Sequence, residues 1–445
     1  MAEEDDSKKQ HVIFGSAGMA ASGMMPGQKL KRKPQKEEPS INEAVEEKAE
    51  EVISENIAPQ VLKEEKPESS PLVPPPFTGL RAVIAGHSGA GDFGHGLDSI
   101  FQRLNGVRLS GLYDGNEDTL EDTKAHTGAP VGYADFKLML EEVKPDLVCV
   151  APEWTDQRYG MIKAALESGA HIISEAPLAQ TLKEADELLA LAKSNQSEVA
   201  VMAPMRLDPH VIKFHHEYSS LIGELKQIRL WGACDDTAGG EDMILTGTQL
   251  FDLVRLFAGE VNYCTASVSS DGMAAIAEDA HVSKTRNLGA LLGNVIHAEF
   301  EMASGIQVSF VSDHAMQSSL GSAGIEFIGT KSRMRLFAGT PVTLSLLKDP
   351  KPNLATRADQ WEQWPATEGP YHLPVDRLTG DDASNRLVVN DWIKAIRKGE
   401  SPAASMENAL KALEMAHGVW QAAVTMKRAF FPLANRLHPL SEESQ

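Results

Sequence analysis

The chain has few cysteines and no long apolar segment, and both absences limit what it can be. Its three cysteines, Cys149, Cys234 and Cys264, lie far apart in a sequence of 445 residues. This spacing argues against a disulfide framework and indicates a reducing compartment. No stretch approaches the ~18 apolar residues of a membrane span, and the acidic first residues are unlike the basic start of a secretory signal. We therefore expect a cytoplasmic protein that does not span a membrane.

An excess of basic residues is also missing. The 63 acidic side chains outnumber the 42 Lys and Arg side chains, and the formal net charge is −21. Such a charge argues against nucleic acid and anionic membrane surfaces as partners. The neighbouring His215 and His216 have no third ligand at metal spacing, so we predict no metal site.

Residues 1–78 are nearly free of aromatic side chains and are rich in proline and in charge. A segment of this composition buries too little apolar surface to offset its chain entropy, so we predict a disordered tail. Within it, a capping-box pattern at Ser40–Glu43 precedes apolar residues at helical spacing. Two interpretations stay open: a transient helix in a solvated tail, or a short helix that docks on a partner. Residues 436–445 are predicted as a second tail.

A glycine-rich turn is the strongest functional signal in the chain. It follows the apolar run 81–85 and contains Gly89, Gly91 and Gly94 in the pattern G-x-G-x-x-G. An amphipathic segment, predicted as a helix over 96–104, comes next. A strand, a glycine turn and a helix in this order place backbone N–H groups against a diphosphate. The alternative is a tight turn whose glycines serve packing alone.

Asp114 supplies the acidic residue that such a turn requires. It closes the next predicted strand, 107–113, twenty residues after Gly94. A carboxylate at this place holds both hydroxyls of a ribose and repels a 2′-phosphate. Turn and carboxylate together predict a dinucleotide cofactor, NAD in preference to NADP.

Strands and helices alternate over residues 79–205, the predicted dinucleotide-binding domain. The predicted strands are 81–85, 107–113, 146–151, 170–174 and 199–203, and the predicted helices are 96–104, 117–126, 134–143, 157–168 and 181–194. This alternation indicates a Rossmann-type parallel sheet. Ligands bind beyond the carboxyl ends of such strands, so we expect the glycine turn, Asp114, 152–155 and 175–177 to surround one crevice.

The pattern changes over residues 206–435. The predicted strands are 224–232, 261–269, 295–302, 305–313, 324–329 and 332–337, and the predicted helices are 248–257, 384–398 and 406–430. Such alternation of apolar and polar residues indicates a large, mostly antiparallel sheet covered by helices. The predicted fold class is α/β, a Rossmann-type parallel sheet followed by an α+β domain that supplies the substrate and oligomerisation surfaces.

Four further landmarks follow the glycine turn in a fixed order. They are Val150-Ala151-Pro152, Glu175-Ala176-Pro177, the stretch 239–253 and the closing segment 391–416. Together these landmarks resemble those of the Gfo/Idh/MocA oxidoreductases, NAD(P)-dependent enzymes that act mostly on sugars and cyclitols. The resemblance covers residues 80–432. It implies a carbohydrate-like substrate and association into a homo-oligomer through the open face of the second sheet.

The residues assigned to the cofactor lie in the glycine turn, at the end of the next predicted strand, and in or beside two of these landmarks. They are Gly89, Gly91, Gly94, Asp114, Pro152, Trp154, Glu175 and Pro177. Trp154 is assigned to the ribose or nicotinamide side of the cofactor.

Three departures separate this chain from the family pattern. The family has a lysine at the position of Ala176, and an aspartate and a histidine at the positions of Leu245 and Gln249. The histidine is the usual acceptor of the proton when a hydroxyl loses a hydride to NAD. A glutamine amide has no useful pKa and cannot serve as a base near neutral pH. The resemblance therefore implies the cofactor without the standard chemistry.

Other polar residues are candidates for the missing roles. Asp242, Gln249, Arg206 and His314 are the candidate catalytic residues, since each is expected near the same crevice. Each has a structural alternative: a solvated loop for Asp242, and an ordinary structural role for a lone histidine. His95 is predicted either to hydrogen-bond the diphosphate or substrate or to cap a helix. Arg158 is predicted to be exposed rather than to bind an anionic substrate.

Three functions are consistent with this pattern. The first is an NAD-dependent oxidoreductase with non-standard catalytic residues that acts on a sugar, cyclitol or related polyol. The second is an enzyme that retains NAD and cleaves or eliminates a glycoside. The third is an inactive NAD- or sugar-binding protein that works as a sensor or as an assembly subunit. The losses at Ala176, Leu245 and Gln249 favour it, whereas the retained glycine turn and Asp114 argue against complete decay. The first function is the leading hypothesis.

Overall fold

The computed structural model describes residues 78–102, 104–283, 286–316, 323–339, 341–347, 361–365 and 381–441. The predicted tail over 1–78 and the helix predicted within it lie outside these residues, apart from residue 78.

The first sheet has six parallel strands. They are β1 (Leu80–Gly86), β2 (Val107–Asp114), β3 (Gly132–Tyr133), β4 (Leu147–Val150), β5 (His171–Ser174) and β6 (Val199–Val201), in the order β3-β2-β1-β4-β5-β6. Every residue of β4 is buried, as a parallel strand covered on both faces requires. The strand order reverses between β1 and β4, which is where such sheets bind ligands. The predicted Rossmann-type sheet is confirmed.

Four helices connect these strands. They are α1 (Leu120–Thr127), α2 (Phe136–Val143), α3 (Thr155–Glu167) and α4 (Leu182–Asn195). Local sequence explains where two of them begin. The side chain of Asp135 accepts the backbone N–H groups of Lys137 and Leu138 at the start of α2, and Thr181 and Glu184 form a capping box at the start of α4.

The helix predicted over 96–104 is wrong. Only one turn of 3-10 helix, Leu97–Ser99, follows the glycine turn. Gly94 and Gly96 have φ angles of +61° and +77°, which no right-handed helix contains. The apolar spacing of this segment instead buries Leu97, Ile100 and Phe101 in the core.

The second sheet is large and mostly antiparallel, as predicted. Its strands are β7 (Leu225–Trp231), β8 (Val261–Ser270), β9 (Met273–Ala274), β12 (Val295–Met302), β13 (Gln307–Asp313), β14 (Gly324–Gly329), β15 (Arg333–Phe337), β16 (Thr343–Leu347), β17 (Trp361–Trp364) and β18 (Ala429–Phe430). A separate two-stranded sheet contains β10 (His281–Val282) and β11 (Ala290–Leu291). The neighbours β7 and β13 run parallel, in contrast to the other pairs of the large sheet.

Four helices complete the second part of the chain. They are α5 (Pro209–Leu221), α6 (Thr248–Ala258), α7 (Asp381–Lys398) and α8 (Met406–Thr425). On α6, Phe251 packs against Phe300 and Phe310 of the large sheet, with ring centroids 5.4 and 5.1 Å apart. The helix predicted over 406–430 ends early, because Met426 adopts a left-handed conformation and β18 follows.

Two segments pack differently from their predicted places. α7 belongs by sequence to the second domain, yet Val388, Val389 and Trp392 lie in the core of the first sheet. The predicted tail at 436–445 is corrected for its described part, since Arg436 forms ion pairs with Asp186 and Glu414. Residues 442–445 lie outside the described part of the chain.

The three cysteines are free and buried. Within the ranges given above, no helix is long and apolar enough to cross a membrane. Among those same residues, no three His, Cys, Asp or Glu side chains are grouped so that they could hold a metal ion.

Candidate cofactor crevice and active site

The carboxyl ends of β1, β2, β4 and β5 meet at one edge of the first sheet. Residues 87–96 follow β1, Asp114 ends β2, 151–154 follow β4 and Glu175–Pro177 follow β5. The peptide bond between Ala176 and Pro177 is cis. The four segments therefore lie together at this edge of the sheet, as predicted.

Residues 87–92 of the glycine turn form a small hairpin, here called the glycine hairpin. His87 and Asp92 pair as a β-bridge, with the His87 N–H donating to the Asp92 carbonyl at 3.0 Å. The Ala90 N–H donates to the His87 carbonyl, and the Gly89 N–H donates to Oδ1 of Asp92 at 2.7 Å. These backbone N–H groups, which a diphosphate would need, are bonded within the hairpin itself.

Asp114 is fully buried beneath the glycine hairpin. Its Oδ1 accepts the backbone N–H groups of Ser88 and Asn116 at 2.8 and 3.0 Å, and its Oδ2 accepts the Ser88 hydroxyl at 2.6 Å. The hydroxyls of Thr119 and Thr123 lie 3.0 Å from the same Oδ2. Burial opposes ionisation of Asp114, and the hydrogen bonds from Ser88 and Asn116 outweigh it, so its pKa lies below the usual range.

The glycine turn packs directly on the loop that follows β4. The Glu153 N–H donates to the Gly91 carbonyl at 2.7 Å. A Cβ atom added to Gly91 would lie 2.5 Å from the backbone nitrogen of Trp154, and one added to Gly94 would lie 2.8 Å from the Ala151 carbonyl oxygen. The glycines are therefore required for close approach of two backbones, which was the alternative interpretation of the turn.

A charged cluster lies beside this contact. Nδ1 of His95 is 3.2 Å from Oε1 of Glu175, and its Nε2 is 3.9 Å from Glu153. Glu153 also pairs with Arg286 at 3.2 Å. The hydrogen bond with Glu175 raises the pKa of His95 above its usual value although burial opposes the charge. His95 therefore contacts a carboxylate, and it caps no helix among the described residues.

Arg158 is buried, which corrects the prediction that it is exposed. Its guanidinium donates to the carbonyl of Pro152 at 2.7 Å and to those of Glu153 and Pro177. Burial lowers its pKa to about 10, so it stays protonated at neutral pH. Arg158 thus holds the loops after β4 and β5 and has no surface for an anionic substrate.

Two of the three positions that depart from the family pattern, Ala176 and Gln249, border a very small cavity. Its lining includes Ala176, Met202, Gln249 and Asp252, and its volume is about 20 Å³. That volume is close to the space one water molecule needs, whereas ligand pockets span roughly 300–1,000 Å³. The amide of Gln249 donates to the Met202 carbonyl at 2.8 Å.

Arg206 forms a buried ion pair next to this cavity. Its Nε donates to Oδ2 of Asp252 at 2.9 Å, and both side chains are less than one tenth exposed. Burial raises the pKa of Asp252, and the Arg206 charge partly offsets that effect. Arg206 and Gln249 are therefore brought together, and both already have protein partners.

Asp242 and His314 lie in a different place. Asp242 is fully buried and accepts the Ala233 N–H at 2.9 Å and the Ser312 hydroxyl at 2.5 Å. This corrects the alternative of a solvated loop carboxylate. Nδ1 of His314 is 3.0 Å from the carbonyl of Asp235 in an exposed turn. Asp242 lies in a short helix, Gly240–Asp242, in the helical segment that leads into α6, and neither residue borders the small cavity.

Four residues of this region are absent from the sequence predictions. Ser88 and Asp92 lie inside the glycine-rich turn, and their polar side chains between glycines are the signal that could have identified them. Arg286 and Asn287 come from a distant loop: the Arg286 carbonyl accepts the Thr155 N–H at 3.3 Å, and the Asn287 carbonyl accepts the Gln180 amide at 2.6 Å. No local pattern identifies that second pair.

Comparisons with known proteins agree with this architecture. Residues 80–203 match the family model described as an oxidoreductase family with an NAD-binding Rossmann fold. The match agrees with the predicted family resemblance over residues 80–203 and with NAD as the predicted type of cofactor. A glycosyl hydrolase family 109 protein of Akkermansia muciniphila is 28% identical over 108 residues, which are 22% of each chain. The chain thus spans about a fifth of the length of that curated relative.

Solved structures extend the similarity of fold to the second sheet. An oxidoreductase domain protein of Kribbella flavida has a TM-score of 0.63 at 19% identity, over 80% of this chain and all of the other. A levoglucosan dehydrogenase in complex with NADH also has a TM-score of 0.63, at 16% identity, over 79% of this chain and all of the other. At these identities the similarity establishes the fold.

The glycine turn in its present conformation does not fit a dinucleotide. Asp114 is buried under Ser88, and the N–H group of Gly89 is bonded to Asp92. The groups of this crevice that would bind the family's cofactor are therefore bonded to other groups of the protein.

Proposed function

We propose that this chain, a member of the Gfo/Idh/MocA oxidoreductase family, is a non-catalytic NAD-linked protein that acts as a sensor or as a subunit of an assembly. One observation carries the proposal. Where the family's proton acceptor belongs, Gln249 donates to the Met202 carbonyl beside a cavity of about 20 Å³. Of the three functions considered from the sequence, this geometry favours the third.

Hydride transfer makes a demand that these residues do not meet. NAD, when bound, supplies the acceptor for a hydride from an alcohol carbon, and the hydroxyl proton must pass to a base. Gln249 is neutral at every ordinary pH, and Leu245 and Ala176 carry neither charge nor donor. Arg206 and Asp252 bond each other at 2.9 Å. The remaining polar groups of the region thus serve structure.

A substrate panel tests this proposal. Purified full-length protein is incubated with NAD and a set of sugars, cyclitols and related polyols, and NADH is followed by its absorbance. We expect no turnover, because no base reaches a bound hydroxyl. Turnover in the usual enzymatic range of about 1 s⁻¹ or more with any polyol would refute the proposal.

A second candidate is an active oxidoreductase on a sugar-like polyol, and the pair formed by His95 and Glu175 favours it. Their contact of 3.2 Å and the raised pKa of His95 suit an acid–base group near neutral pH. If the panel shows turnover, His95→Gln should abolish it, and the exposed His126→Gln should not. Equal loss in both variants would count against His95 as the base.

A third candidate is an enzyme that retains NAD and cleaves glycosides. It is supported by the name of the relative from Akkermansia muciniphila, which refers to a glycosyl hydrolase family. Release of a free sugar from chromogenic glycosides without net NADH would identify this function. The cytoplasmic location, the homo-oligomer formed through the second sheet and docking of the N-terminal segment on a partner are proposed from the sequence.

A further inference from the structure

We infer that the glycine hairpin takes the place of the dinucleotide in the crevice, and that Asp114 holds the hairpin closed instead of waiting for a ribose. The inference rests on the proposed function, because it takes NAD to be the ligand that an opened crevice would bind. It goes beyond that function because it states why the crevice of this chain rejects the cofactor in its present conformation.

Ser88 makes the hydrogen bonds to Asp114 that the ribose of a dinucleotide would make. A ribose would offer two hydroxyls to the carboxylate at the end of β2. In this chain the Ser88 hydroxyl donates to Oδ2 of Asp114 at 2.6 Å, and the Ser88 N–H donates to Oδ1 at 2.8 Å. With Asn116, Thr119 and Thr123 as further donors, the fully buried carboxylate offers no accessible oxygen.

Asp92 accepts a hydrogen bond from the glycine turn that the diphosphate of a dinucleotide would accept. A diphosphate would accept hydrogen bonds from N–H groups of the turn. Here a carboxylate oxygen of Asp92 accepts the Gly89 N–H at 2.7 Å. The Asp92 carboxylate thus makes a hydrogen bond that an oxygen of the diphosphate would make. The neighbouring N–H groups of His87 and Ala90 donate to carbonyls of the same hairpin. Three N–H groups of the turn, those of His87, Gly89 and Ala90, are therefore used before any ligand arrives.

The surroundings oppose a diphosphate as well. The turn lies against the loop after β4, where a Cβ on Gly91 would be only 2.5 Å from the Trp154 nitrogen. Two carboxylates, Glu153 and Glu175, flank this contact. Arg286 is paired with Glu153, and the charge of Arg158 is directed at backbone carbonyls. A bound diphosphate would meet excess negative charge, which raises the cost of opening the crevice.

Opening of the hairpin would therefore be required before NAD binds. When only a fraction of molecules is competent, the apparent dissociation constant rises by the inverse of that fraction. Loss of the Ser88 hydroxyl and of the negative charge on Asp92 should increase the open fraction. The wild-type protein should bind NAD weakly, and a protein that lacks this hydroxyl and this charge should bind it better.

Calorimetric titration of full-length protein with NAD tests this inference. The double variant Ser88→Ala/Asp92→Asn removes the hydroxyl from Asp114 and the charge from the turn. The matched control is Ser110→Ala/Asp118→Asn, which changes the same residue types at a half-buried and an exposed position outside the glycine hairpin. We expect a dissociation constant above about 1 mM for the wild type and the control, and binding about tenfold tighter or more for the double variant.

Asp114→Asn provides the second measurement. If Asp114 holds the hairpin, this variant lowers the melting temperature and binds NAD no more weakly than the wild type does. Wild-type binding below about 100 μM that weakens tenfold in Asp114→Asn, with unchanged circular dichroism, would overturn the inference and make Asp114 a ribose ligand. So would a double variant that binds NAD no better than the control. The proposed function is judged separately, by NADH formation, and either can fail alone.

Discussion

The side-chain amide of Gln249 donates a hydrogen bond to the backbone carbonyl of Met202, with 2.8 Å between nitrogen and oxygen. The bond joins α6 to the end of β6 across the place where the family's chemistry occurs. An imidazole here would be free to take a proton, whereas the amide ties the two parts of the fold together. Gln249 is therefore a structural link between these two parts of the fold.

Restoring the missing groups tests this view. We expect that Ala176→Lys/Leu245→Asp/Gln249→His, combined with Ser88→Ala/Asp92→Asn, forms NADH from at least one polyol, because a base and its supporting charges then border an open crevice. The control carries Asn in place of His at position 249. NADH formation by the control as well would show that another residue accepts the proton.

Breaking the ion pair of Arg206 and Asp252 should destabilise the fold. Arg206→Met leaves a buried, unpaired carboxylate, so we expect the free energy of unfolding to fall by about 3–5 kcal/mol. Urea denaturation measures the change. Lys226→Met, which removes an exposed pair with Glu224, should cost less than about 1 kcal/mol.

The double variant Arg206→Met/Asp252→Leu supplies the second half of that test. Because it removes both charges, it should recover most of the stability lost in Arg206→Met. A double variant as unstable as the single one would mean that Arg206 stabilises the protein through packing of its stem.

Arg158 should be as important for stability as any apolar core residue. In Arg158→Met, the carbonyls of Pro152, Glu153 and Pro177 lose a buried charged donor, and each unpaired carbonyl costs about 1–3 kcal/mol. We expect a fall in melting temperature, measured by differential scanning calorimetry. Lys163→Met, on the exposed side of the same helix, is the matched control. Equal melting temperatures for the two variants would contradict the role assigned to Arg158.

Stability should decrease in mild acid because two histidines are buried in neutral form. Burial lowers the pKa of His438 to about 4, from 6.5, and that of His417 well below 6.5. The unfolded chain therefore binds more protons below pH 6.5, and the stabilisation is complete above that pH and lost as the pH falls toward 4. For His438 alone we expect a loss of about 2 kcal/mol between pH 7 and pH 5.

The pH dependence of urea denaturation checks this prediction. His417→Leu should flatten the curve, because it removes a histidine that burial keeps neutral in the folded protein. The exposed His126→Leu is the comparison variant. His95 acts in the opposite direction, since its pKa is raised, and its half-exposed side chain keeps that contribution small. A slope unaffected by His417→Leu would contradict the prediction.

Much of the fold was predictable because its signals are local. The apolar runs of β1 and β4 form buried strands since a parallel sheet is covered on both faces. Thr181 and Glu184 mark the start of α4 through a capping box. The helix after the glycine turn was not predictable from apolar spacing, because Gly94 and Gly96 at positive φ interrupt it while the same apolar residues still reach the core.

The sequence predicts which residues lie at the candidate site, but it does not predict which hydrogen bonds those residues make. Gly91, Gly94 and Asp114 were named from spacing, and they do meet at one edge of the sheet. Whether the carboxylate of Asp114 is free depends on Ser88, whose position follows from the closed hairpin. Arg286 reaches the crevice from a loop more than a hundred residues away in sequence, and no periodicity reports such a contact.

The sequence by itself determined the alternation of strands and helices in the first sheet, the resemblance to the Gfo/Idh/MocA oxidoreductases and the departures from their pattern at Ala176, Leu245 and Gln249. These properties depend on residue type and spacing along the chain. Only the tertiary structure decided that the glycine turn is closed, that Arg158 is buried and that Gln249 is bonded to Met202. The physical reason is that a hydrogen bond is a matter of distance between groups, and buried donors and acceptors find whichever partners the packing places beside them.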